Sequence, residues 1–110
     1  MGLDVVLVQP GPRRAVRGRR AKQPTYEVLG HYLDEHERLE EAIRSASSPM
    51  LVRMRLKWGE TRLQPDDMEQ FVSEVRAVGG NPPASYVEPV VALAQRCAAS
   101  PGTELHLQPD

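Results

Sequence analysis

Several groups of side chains in this 110-residue chain have types and spacings that could do chemistry. His31, Asp34 and Glu35 stand at i, i+3 and i+4, and on a helix they would share one face as a trio of metal ligands. His36 follows His31 by five residues, about 140° round a helix, so the two imidazoles cannot meet on one ion from the same helix. No HExxH, CxxC or acidic calcium loop accompanies them. The trio therefore reads as a solvated helical face, His36 as a boundary residue, and no metal is expected. Cys97 with His106 could form a nucleophile and base. Cys97, however, falls on the apolar stripe of a helix, where a thiol behaves as a small hydrophobe. Ser47, Ser48 and Ser73 have no identifiable base, and neither a Walker A nor a GxGxxG sequence is present. The expectation is no catalytic residue, no cofactor and no enzyme.

The basic residues offer a different chemistry. Of 14 Lys and Arg, six lie between Arg13 and Lys22, namely Arg13, Arg14, Arg17, Arg19, Arg20 and Lys22. Arg17-Gly18-Arg19-Arg20 resembles the Arg-Gly-Arg core of an AT-hook, the short motif that lies along the minor groove of A·T-rich DNA. The family places Pro after that core, where this chain has Arg20. Whatever the resemblance, Lys and Arg on a flexible arm attract phosphates. The bland alternative is a solvated loop, or one folded back on acidic residues of its own domain. Six of the 15 acidic residues fall between Glu27 and Glu41, so a net charge of −1 conceals strong segregation.

A second cationic set is Arg53, Arg55, Lys57 and Arg62. In Leu51 to Gln64, Val52, Met54 and Leu56 alternate with Arg53, Arg55 and Lys57, the period of a half-buried strand. With Trp58-Gly59 as a turn and Glu60 to Gln64 returning, the stretch reads as a hairpin with one oily and one cationic face. That face lacks the aromatics on which nucleic-acid bases stack, so it suits a protein partner better. Trp58 at the tip, flanked by Arg53, Arg55, Lys57 and Arg62, is the expected anchor. The competing reading folds Trp58 back over the core.

Length allows one domain, residues 1–110, with a flexible basic loop at 11–24. The single cysteine excludes an intrachain disulfide and fits a reducing compartment, so cytoplasm is the expected location. Leu3 to Val8 is short, carries Asp4 and follows no basic residue, unlike a signal peptide. No run of residues is long and apolar enough to suggest a membrane span. The excess of Arg, Ala, Val and Pro is that of a high-GC bacterial coding sequence.

The elements that must position these groups follow from periodicity. Leu3 to Val8 is an apolar run broken only by Asp4 and predicts a central strand. Leu29, Tyr32, Leu33, His36, Leu39 and Ile43 predict one long helix starting at Thr25. Asp66 with Glu69, and Ser85 with Glu88, look like capping boxes opening two further helices, the first ended by Gly79-Gly80 and the second by Ser100-Pro101-Gly102. Thr103 to Leu107 predicts a final edge strand. The order β-α-β-β-α-α-β gives an α+β fold, a four-stranded antiparallel or mixed sheet with helices on one face. A ferredoxin-like arrangement would make the polar Glu60 to Gln64 a central strand, so another strand order competes with it. Function is then expected from binding: a small protein-binding module of immunity, antitoxin or adaptor type. The alternatives are nucleic-acid binding, and a homodimer through Thr103 to Leu107.

Overall fold

The computed structural model describes residues 3–10, 26–34, 37–57 and 59–109, the side chains of 55–57 excepted. The expected loop 11–24 and Trp58 lie outside the described residues. Four strands form one antiparallel sheet, β1 (Leu3–Pro10), β2 (Tyr26–Tyr32), β3 (Thr61–Leu63) and β4 (Glu104–Pro109), in the order β2-β1-β4-β3. Helices α1 (Arg38–Ser45), α2 (Pro49–Lys57), α3 (Met68–Gly79) and α4 (Val87–Ala99) pack on one face. The expected α+β class and antiparallel sheet are what the chain adopts. Polar β3 sits at an edge, so the objection to a strict ferredoxin-like order was sound.

Two elements differ from expectation. Pro49 to Lys57 is a helix, not the first strand of a hairpin. Met50, Leu51 and Met54 are buried, at i, i+1 and i+4, while Arg53 is exposed. Met, Leu, Arg and Lys are all good helix formers, and Pro49 stands at the first helical position. The α2 N-terminus is held from a distance: the buried Glu74 carboxylate on α3 accepts from Met50 N at 3.0 Å and Leu51 N at 3.1 Å. Two of the backbone donors that every helix start leaves over are thereby satisfied.

Tyr26 to Tyr32 is a strand, and only Arg38–Ser45 of the expected long helix is helical. Strand β1, apolar on both faces, needs a neighbour on each side, and β2 supplies the second. Leu7 pairs with Gly30 and Val8 with Val28, so Leu29 is an extra residue, a β-bulge. Arg96 of α4 donates from Nη2 to the Leu29 carbonyl at 3.1 Å and pins it. Gly30 lets α4 come this close, since a Cβ there would lie 2.8 Å from Leu93 Cδ2.

The core lies between the helices and the inward residues of the sheet: Leu3, Val5 and Leu7 of β1, Leu63 of β3, Leu105 and Leu107 of β4. Phe71 and Val75 of α3, with Val90 and Ala94 of α4, are fully buried against them. Strand β4 is interior, between β1 and β3, so it offers no free edge for the dimer expected through Thr103 to Leu107. The cap before α3 also differs from the expected Asp66–Glu69 box. Asp67 Oδ2 accepts from Gln64 N at 2.9 Å, the Gln64 side chain reciprocates, and Pro65–Asp67 forms a 3-10 turn. Nor does a Ser85–Glu88 box form, for α4 begins without a side-chain cap. Among the described residues no helix is long and apolar enough to cross a membrane.

Candidate functional site

Strand alternation decides which side chains leave the core. Between inward Leu105 and Leu107, His106 projects to the second face, which bears no helix among the described residues. Arg62 lies directly opposite it on β3 and Val6 opposite it on β1. Glu60 and Arg62, like Glu104 and His106, are two residues apart and so share this face.

These groups form one connected cluster. His106 Nε2 is 2.8 Å from Glu104 Oε1, and Nδ1 is 3.7 Å from Glu60 Oε1. Arg62 donates from Nε to Glu60 Oε1 at 2.6 Å. Gln64 Nε2 donates to the other Glu104 oxygen at 3.1 Å, and Gln108 Nε2 reaches Glu60 Oε2 at 3.5 Å. Tyr26 of β2 extends across β1 and sets its ring edge-on to the imidazole, centroids 5.1 Å apart at 78°. The Arg62 guanidinium lies 5.8 Å from the centre of the same ring, within cation–π range. His106 is thus only 2% exposed although it faces away from the core.

The electrostatics follow from these partners. The hydrogen bond from Arg62 holds the Glu60 carboxyl below its ordinary range against the opposing effect of partial burial, and the same bond raises Arg62. Glu104 is lowered, chiefly by its hydrogen bond with His106. Both acids are therefore ionised at neutral pH, and Glu60 is paired with the Arg62 cation. Beside it on the same face stand Val28, 58% exposed, and exposed His31.

The described residues among those singled out from sequence stand apart. Arg53 is exposed on α2, in the helical layer, and Arg62 is on the opposite side of the sheet. The cationic hairpin face therefore does not exist, because its first strand is a helix. The side chains of Arg55 and Lys57, all of Trp58, and the basic residues Arg13, Arg14, Arg17, Arg19, Arg20 and Lys22 lie outside the described residues. The helical trio is not assembled either. His31 is on β2, whereas buried Asp34 accepts from Leu39 N at 3.1 Å and Glu40 N at 2.9 Å, capping α1. Glu35 and His36 lie outside the described residues. Among the described residues no group of three or more His, Cys, Asp or Glu is placed to hold a metal ion.

Cys97 and His106 stand on opposite sides of β4, which rules out a dyad. The thiol is in the core, raised by burial, and accepts from Thr103 Oγ1 at 3.5 Å. Sequence reasoning missed Tyr26, Glu60 and Glu104, and weighed His106 only as a partner for Cys97. The i, i+2 spacing of Glu60 with Arg62 and of Glu104 with His106 was the available signal. No family model, curated protein or solved structure matches this chain.

Proposed function

We propose that this chain is a non-catalytic protein-binding module, of immunity, antitoxin or adaptor kind, whose contact surface is the sheet face turned away from α1 to α4, around Tyr26, Val28 and Arg62. The observation that carries this reading is the seating of the Tyr26–Arg62 pair on the Glu60, Glu104 and His106 cluster. Tyr and Arg supply much of the energy of protein interfaces, and side chains already held in place lose little entropy on binding. Exposed Val28 adds apolar area beside them. Of the two described side chains in the expected anchor set, Arg53 and Arg62, it is Arg62 that falls on this surface. The lone buried Cys97 suits a cytoplasmic setting, which is part of the proposal.

The test is capture from nuclease-treated native lysate on the immobilised chain, with Tyr26→Ala, Arg62→Glu and Arg53→Glu as comparisons. A protein retained by the parent and by Arg53→Glu, and lost from the other two, is the expected result. Retention by Arg62→Glu with loss from Arg53→Glu would move the contact to the helical layer.

One observation favours nucleic acid as a second reading. Pro10 pairs with Tyr26, so residues 11–25 connect the two strands of a hairpin. All six basic residues from Arg13 to Lys22 belong to that connection, which leaves and rejoins the sheet at Tyr26. Phosphate binding there predicts affinity that falls steeply with salt and is lost in Arg17→Ala/Arg19→Ala/Arg20→Ala. An unshifted DNA or RNA band at low salt would dispose of it.

A further inference from the structure

Both nitrogens of the buried His106 ring face carboxylates, Glu104 at 2.8 Å and Glu60 at 3.7 Å. A neutral imidazole has one N–H and one lone pair. The shorter contact claims the N–H for Nε2, which leaves the Nδ1 lone pair directed at the negative oxygen of Glu60. Only the doubly protonated ring presents a donor to each acid. The charge count says the same. With Arg62 on Glu60, a protonated ring makes the four-residue cluster neutral, and a neutral ring leaves it with one negative charge in excess.

Among the described residues the ring's other neighbours are these. Tyr26 of β2 presents its ring to the imidazole. Val6 of β1 is opposite His106, Asp4 is one pair further along beside Gln108, and exposed His31 lies beyond Val6 on β2. The amides of Gln64 and Gln108 donate to the acids themselves. Arg62 already uses Nε on the Glu60 oxygen nearest the ring.

We propose that His106 is a proton-operated clasp between β3 and β4. On taking up its second proton it binds Glu104 and Glu60 together and fastens the edge strand, the 3.7 Å separation closing to hydrogen-bond length. On losing that proton it keeps Glu104 alone, frees the Glu60 side and makes the face more negative. Strand β3 is only three residues long and is the sheet's outermost strand, so a single added tie matters to its anchoring. The clasp lies under Tyr26 and Arg62, yet it stands on geometry alone and needs no partner.

The test uses the purified chain. Nitrogen-detected NMR follows the His106 ring from about pH 5 to pH 8, the range in which imidazoles change charge. Amide exchange at Thr61 to Leu63, corrected for its intrinsic pH dependence, follows the strand. The expected result is exchange roughly five- to tenfold faster once the ring is neutral, the net scale of one hydrogen bond at a partly exposed site. That step should vanish in Glu60→Gln, while amides in β1 show no such step. Equal β3 protection on both sides of the ring titration, or a step that persists in Glu60→Gln, would overturn the proposal. Because neither readout involves a binding partner, failure here is distinct from failure of the protein-binding reading.

Discussion

His106 is only 2% exposed yet bonded to ionised Glu104. The two acids of its cluster have folded-state values lowered by their partners, Glu104 by His106 and Glu60 by Arg62. A lowered acid contributes stability that is fully present above its unfolded value, here near 4.5, and lost as pH falls through the folded value. Melting temperature should accordingly decline below about pH 4.5, and Glu104→Gln should flatten that decline. Both carboxylates are partly exposed, so the effect is modest and weakens with salt. A Glu104→Gln profile parallel to the parent's would refute the assignment. Cys97 gives a separate prediction at this scale. Its thiol is fully buried and raised by that burial, so a thiol reagent should modify it far more slowly in the native chain than in denaturant. Equal rates would place it at the surface.

Among the elements, those whose neighbours are close in sequence were legible, and those defined at a distance were not. Strand β1 announced itself as an apolar run broken only by Asp4, and α3 and α4 as stripes ended by glycine or by Ser-Pro-Gly. Residues 51–57 alternate as a strand does, but the choice of helix rests on Glu74, more than twenty residues later, capping Met50 and Leu51. At β2 the bulge at Leu29 broke the two-residue period, and what remained imitated a helical stripe. The site was less legible than the fold, since only Arg62 was expected at a contact surface and His106 was weighed only beside Cys97. Its other members come from β2, from β4 and from the residue just before β3, and become neighbours only through the order β2-β1-β4-β3. The distant cap makes a sharp prediction. Glu74→Ala should cost about 1–3 kcal/mol in chemical denaturation by leaving buried donors unpaired. Glu74→Gln, which keeps an acceptor, should cost less, and equal losses would argue against capping. Close packing of α3 on α4 makes another. A Cβ on Gly79 would run into Val87 Cγ2, on a stiff β-branched side chain. Gly79→Ala should therefore lower stability by roughly 1–3 kcal/mol, the usual cost of overpacking, whereas a neutral change would mean the helices can separate freely.

At the scale of the whole molecule, the sheet presents one face to the helices and leaves the other to a built polar cluster. Its edges discourage strand addition: β3 has three residues, and β2 is bulged and carries exposed Glu27. A partner is therefore better received on the face than at an edge. If the hairpin connection also engages nucleic acid, binding through its six cations predicts a slope of about −5 for log affinity against log salt on duplex DNA. A slope near zero would separate that surface from phosphate recognition. The surface proposed for protein contact is tested most directly by hydroxyl-radical footprinting of the chain alone and with its captured protein. Protection is predicted at Tyr26 and Val28, with the labelling of Arg53 and the α1 surface unchanged. Protection confined to the helical layer, with Tyr26 and Val28 labelled as in the free chain, would contradict it.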